Sequence, residues 1–222
     1  MATNQGVGSS NLSGRAIEMN VNNYSIQAEA ARAGFVKWDQ DAMISRLGLE
    51  ADDSHMYIEF FQERHSIDRL NGKVFRCAAG TPAGFNATMS IYDVLCCSKA
   101  EAFLSGEWQT LENLSPHSNF GSSGKNLFGS AAKRLSGDIE GLRGACTILG
   151  GREATKADAG FAFDVFPFLP TVFQYWDGDD EFEPRIKFLF DANTLDYIHF
   201  ETAWYIAEHL IGLIEKEELR HK

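Results

Sequence analysis

The chain has 222 residues, a formal net charge of -11, 44% apolar residues and 17 Phe, enough apolar material for a full-sized core, so disorder throughout is excluded. The acidic excess argues against nucleic acid or an anionic membrane surface as partner, because displacing counterions from phosphates needs Lys and Arg. No apolar run approaches the roughly 20 residues that cross a bilayer, and "MATNQGVGSSNLSGRA" has neither the basic start nor the apolar stretch of a leader, so the expected setting is cytoplasmic.

In chain order, residues 1–12 read as a loose tail and 13–222 as one domain. From Ile17, the apolar positions Val21, Tyr24, Ala28, Ala31 and Phe35 recur at spacings of three and four, one face of a helix. A second short helix holds Met43, Ile44 and Leu47. The period then changes: "HMYIEFF" alternates, and "HSIDRLNGKVFRC" sets Asn71-Gly72 between two β-prone runs, a hairpin signal, for about three antiparallel strands. Helical spacing returns in "MSIYDVLCCSKAEAFL", in "LFGSAAKRL" with Leu127, Phe128, Ala131 and Leu135, and in "IEGLRGACTILGG" with Ile139, Leu142, Cys146 and Leu149 before a glycine cap.

The runs "FAFDVFPF", "TVFQYW" and "RIKFLFD" read as strands of the same sheet. A final helix from about His199 to Leu219 carries a stripe of Phe200, Ala203, Trp204, Ala207, Leu210, Ile211 and Ile214 that can cover a sheet face. Helices and strands fall in separate runs, which predicts an α+β fold with an antiparallel or mixed sheet and the long last helix packed on it.

Cys77, Cys96, Cys97 and Cys146 include no C-x-x-C, so they read as reduced, mostly buried thiols, with a vicinal redox pair at Cys96 and Cys97 as the alternative. The six histidines show no paired metal spacing and read mostly as surface residues, His209 opposite the apolar stripe. No metal-ligand set is expected. "HSNFGSSGKNLF" resembles an anion-cradling loop through His117, Ser122, Ser123, Gly124 and Lys125. Asn119 and Asn126 stand where a P-loop needs Gly and Ser or Thr. A plain surface loop is the competing reading.

"QYWDGDDEFEPRIKFLFD" concentrates carboxylates between two strands. It lacks the ligand spacing of an EF-hand. Asp177-Gly178 and Pro184 suit a solvated turn, and a ligand or metal rim is the alternative.

The ordered segments "FNATMSIYDVLCCSKAEAFLSGEWQTLENLSPHSNF", "LGGREATKADAGF", "FPFLPTVFQYWDGDDEFEPRIKFLFD" and "HFETAWYIAEHL" resemble the DUF3786 family of anaerobic bacteria and archaea, from about Asn20 to Ile214. The most specific element is Trp176, Gly178, Asp179, Glu181 and Phe182, followed by Leu189, Phe190, Asp191 and Glu201. Some family members carry an added iron–sulfur domain, which implies service in anaerobic redox or cofactor metabolism and a redox protein partner. This chain lacks that cysteine cluster.

The resemblance implies a pocket with an aromatic wall and an acidic rim, for a small ligand or cofactor whose identity stays open. The family pattern supplies Trp176, Glu181 and Asp191 for it; docking of the last helix on the aromatic strands would bring His199, Glu201 and Trp204 to the strand end that carries Trp176, with Asp177, Asp179 and Glu181 at the mouth, in one cleft that joins Trp176 to Glu201. The anion loop would be a separate site or the far end of the same one. The alternative is an enzyme using Asp179, Glu181 or Glu201 as general acid or base, which needs a carboxyl buried against Trp176 or Trp204.

Overall fold

The computed structural model describes residues 11–114, 127–154 and 156–221. The expected tail over 1–12 lies almost wholly outside them. The fold is α+β, with two antiparallel five-stranded sheets and six α-helices among the described residues. The first sheet runs β1 (Glu50–Ala51), β2 (His55–Phe60), β3 (Glu63–Asp68), β4 (Val74–Arg76) and β5 (Thr81–Pro82) in sequential order. The second has the order β6 (Trp108–Thr110), β10 (Arg185–Asp191), β9 (Leu169–Trp176), β8 (Ala159–Phe166) and β7 (Arg152–Glu153). The single sheet expected from the sequence is thus two. β-periodicity says which face of a strand is apolar but not which strand it pairs with, and here each run pairs only with its sequence neighbours and β6.

Two turns shape the first sheet. β2 and β3 are joined by Phe61 and Gln62 alone, both left-handed at φ 48° and 60°, as a type I′ turn requires. Neither residue advertises that conformation. Phe61 is held there because its ring is buried and its N–H donates to the Val165 carbonyl at 2.9 Å. The Asn71-Gly72 hairpin between β3 and β4 exists, but not as a two-residue turn. The Asp68 carboxylate accepts from the Leu70 and Asn71 N–H groups, and only Gly72, at φ 74°, is left-handed.

The helices are α1 (Asn11–Phe35), α2 (Gln40–Leu47), α3 (Phe85–Cys97), α4 (Gly129–Arg134), α5 (Ile139–Ile148) and α6 (Phe200–His221). α2 is capped at both ends: Asp39 accepts from the Ala42 N–H at 3.0 Å, and Gly48 closes it in the left-handed region. α6 is the central helix. It packs on α3 and α5, and its Ala203, Ile206, Ala207, Leu210, Ile211 and Ile214 are all buried. Phe128 stacks on Trp204 at 4.9 Å and meets Phe188 edge-on at 5.2 Å, which ties α6 to one face of the second sheet.

His209 corrects the expectation of a solvent face. Its ring packs on Phe60 at 4.8 Å and stacks on Phe61 at 5.6 Å, joining α6 to the first sheet. Burial pushes its pKa down to about 4, with the nearby charges of His65 and Arg76 adding to the effect. His65, also expected at the surface, is buried, with Nδ1 against the Glu63 carbonyl at 2.8 Å. A helix enclosed on more than one side buries residues that a one-stripe reading assigns to water.

Candidate functional site

The expected Trp176 cleft does not form. In β9, Phe173 and Tyr175 face the interior while Trp176 alternates to the opposite face, where Lys187 lies over its ring at 5.9 Å. Phe188, which carries the Phe128 and Trp204 stack, pairs with Phe173 on the interior face. Glu201 begins α6, whereas the helix end near Tyr175 is marked by Glu218, whose charge acts on the tyrosine hydroxyl. Those two positions are separated by roughly 25 Å of helix. Trp176 therefore lies across the sheet from Trp204 and far from Glu201.

The acidic stretch is the connection of a hairpin, from Trp176 to Arg185 in paired register. Asp177 is a fastener. Its carboxylate accepts from Ser136 Oγ at 2.7 Å, Tyr175 Oη at 3.0 Å, and the Gly178 and Gly137 N–H groups at 2.9 and 3.2 Å. Burial would raise its pKa, but these bonds hold it below the usual carboxylate range.

Asp179 folds its Oδ1 back onto the Glu181 and Phe182 N–H groups at 2.8 and 2.7 Å. Glu181 is exposed. Gly178 is needed for close approach rather than for a left-handed turn, since a Cβ there would meet Pro184 Cδ at 2.8 Å. Asp179, Glu181 and Glu201 are not assembled into an acid–base group. The loop carrying His117, Ser122, Ser123, Gly124 and Lys125 lies outside the described residues.

The structure assembles a different cleft, of about 400 Å³, between the end of α1, the face of α3 and the start of α6. α1 contributes Ala31, Gly34 and Phe35, with Trp38 just beyond it. α3 contributes Met89, Tyr92, Asp93, Cys96 and Cys97, spaced so that one helix face presents them all. The third wall is His199, Glu201, Thr202 and Tyr205. Phe35 stacks on Tyr92 at 5.2 Å, and the Tyr92 hydroxyl is spent on the Gly72 carbonyl at 2.6 Å. Of the expected residues, His199 and Glu201 line this cleft, and Trp204 joins Glu201 and Tyr205 in an adjoining hollow of about 360 Å³.

Three contacts stitch α3 to the segment entering α6. Ser98 Oγ donates to the Tyr197 carbonyl at 3.1 Å, Lys99 N–H donates to the Asp196 carbonyl at 2.8 Å, and Lys99 Nζ pairs with the Asp196 carboxylate at 2.5 Å. They set Asp93 against the start of α6, where its Oδ2 accepts the His199 N–H at 2.7 Å and its Oδ1 meets His199 Nδ1 at 2.6 Å. A carboxylate also suits the positive end of a helix.

The hydrogen bond and charge of Asp93 raise the His199 pKa. Burial, with the Asp93 charge and its hydrogen bond to the thiol, pushes Cys97 up to about 12, and burial with the same charge pushes Cys96 up to about 11. Both thiols are therefore protonated near neutrality. Asp93 stands between Cys97 and His199, so the trio lacks the nucleophile–base contact of a catalytic triad.

Sequence spacing found no metal-ligand set, yet a ligand atom from each of Asp93, Cys97 and His199 lies within 4.8 Å of the others. The pair Asp93 and Cys97, one turn apart on a helix, was the legible half. His199 joins them from 106 positions beyond Asp93.

Among the described residues no helix is long and apolar enough to cross a membrane. No curated protein matches the chain, and no solved structure matches it. The family model described as "Domain of unknown function (DUF3786)" matches residues 39–212, most of the chain and two of the three walls of the cleft, and the chain belongs to that family.

Proposed function

We propose that this protein binds a small planar molecule in the cleft between α1, α3 and α6, and that it acts as a ligand-carrying or accessory domain. The observation that carries this reading is the convergence of aromatic walls, Phe35, Trp38, Tyr92 and Tyr205, with a polar end formed by Asp93, His199 and Glu201. Apolar walls with a few convergent polar groups are what small-molecule sites require. Aromatic faces and a carboxylate rim favour a flat ligand with a cationic or donor edge. Service to a redox partner in anaerobic metabolism is the setting of this reading.

Gly34 supplies the test. A Cβ there would meet nothing within 4 Å, so Gly34→Leu places a side chain in the cleft and leaves the core alone. Wild-type protein purified without oxygen should show a retained mass by native mass spectrometry, or saturable binding of proflavine as a planar cationic probe. Gly34→Leu should lose both. A wild type that binds neither, or a Gly34→Leu variant that binds as well as wild type, would remove the cleft from consideration.

A further inference from the structure

We infer that Asp93, Cys97 and His199 form a mononuclear site for a borderline divalent transition cation of the zinc class, with its remaining coordination position opening into the cleft. The inference rests on the proposed function in that it shares Asp93 and His199 with the polar end of the same cleft; what it adds is the close approach of their ligand atoms to that of Cys97.

The donor set is one thiolate sulfur, one imidazole nitrogen and one carboxylate oxygen, drawn from α3 and the residue that precedes α6. Calcium and magnesium take oxygen ligands, and a sulfur donor counts against them, whereas Zn2+ accepts all three types. In a tetrahedral site with bonds of about 2.0–2.3 Å, ligand atoms stand about 3.3–3.6 Å apart. The three here lie within 4.8 Å of one another, with His199 Nδ1 and Asp93 Oδ1 hydrogen-bonded at 2.6 Å, so side-chain torsion changes that open that pair and move ligand atoms by about 1–1.5 Å complete the site. The backbone is fixed from outside the trio by Ser98 and Lys99 on the Tyr197 and Asp196 carbonyls.

Three protein ligands also leave a position free, the arrangement of sites whose metal meets a water or a ligand atom rather than serving structure alone. Loading balances simply. Metal–sulfur, metal–nitrogen and metal–oxygen bonds form, the Cys97 thiol proton leaves to solvent, and the proton on the imidazole nitrogen that becomes a ligand leaves or shifts to the other ring nitrogen. No electron moves.

The test uses full-length reduced protein, treated with chelator and exchanged into metal-free buffer. Titration with Co2+ should give one equivalent bound, with a thiolate-to-cobalt charge-transfer band, and Zn2+ should displace it. Cys97→Ser should abolish the band, and Asp93→Asn and His199→Gln should each weaken Zn2+ binding by at least about 10-fold, whereas Cys96→Ser should keep the band. Thermal melts of metal-free variants establish that each is folded, and Cys97→Ser provides the folded comparison should Asp93→Asn fail.

The inference is overturned by a wild type that gives no band, or by a band that survives Cys97→Ser and depends on Cys77 or Cys146. Gly34→Leu separates the two proposals. Metal binding retained in that variant while proflavine binding is lost supports both. Wild type that binds proflavine but no metal ends this inference and leaves the cleft reading, and metal binding without proflavine binding does the reverse.

Discussion

Asp177 and Glu181 stand in one acidic loop and do opposite things. Of the four hydrogen bonds accepted by Asp177, those from Ser136 and Gly137 hold the end of β9 to the turn between α4 and α5; Asp177→Ala removes the acceptor of two hydroxyls and two N–H groups, of which Tyr175 Oη keeps the Ala132 carbonyl at 3.2 Å, and should cost about 1–2 kcal/mol. Glu181→Ala should fall within about 0.5 kcal/mol of wild type. Urea unfolding of the two variants measures the difference, and equal losses would contradict the assignment.

Asp191 is a stronger case. It is 2% exposed and accepts from the N–H groups of Ser105, Gly106 and Asn193 and from Ser105 Oγ. Asp191→Asn should lower stability by about 2–3 kcal/mol, because an amide cannot accept all of these and brings an unpaired N–H2 of its own. The dense carboxylates were visible in the sequence, but charge density does not reveal which acid faces donors and which faces water. That depends on the loop between α4 and α5, brought alongside by folding.

Elements with one strong signal were legible: α3, α5 and α6 follow from apolar spacing, and the three long strands of the second sheet from their aromatic and β-branched runs. What spacing could not supply was pairing and turn conformation. The Phe61-Gln62 turn is invisible because neither residue favours φ > 0, and it exists only because Phe61 reaches Phe163 and His209. The cost of a non-glycine residue in that region is roughly 1 kcal/mol. Gln62→Gly should therefore stabilise the protein by about 0.5–1 kcal/mol despite losing the 3.3 Å bond from Gln62 Nε2 to the Gly150 carbonyl. Phe61→Gly should destabilise it, since a buried ring is lost. Thermal or denaturant melts that moved both variants the same way would be inconsistent with this account of the turn.

At the scale of the whole molecule, α6 joins the two sheets and the cleft, and its half-buried His209 gives the fold a pH dependence. The imidazole pKa is about 4 in the folded protein against an ordinary 6.5. Between those values the unfolded chain binds the additional proton, so stability falls as pH falls through that window. The loss should be on the order of 2 kcal/mol between pH 7 and 4.5. The nearby charges of His65 and Arg76 add to the penalty. His209→Phe should flatten the profile from pH 6.5 to 4.5, and an unchanged slope in denaturant midpoints would place the titration elsewhere.

The same long-range folding built the cleft. α3 presents its residues in a spacing the sequence displays, but nothing local announces that α1 and the start of α6 close over them. The most direct measurement is therefore amide chemical-shift mapping of the reduced protein titrated with proflavine. The perturbed amides should concentrate in residues 31–38, 89–97 and 199–205, and the perturbations should disappear in Gly34→Leu. Perturbations centred on Trp176 to Pro184 instead would contradict the cleft reading and return the site to the acidic loop.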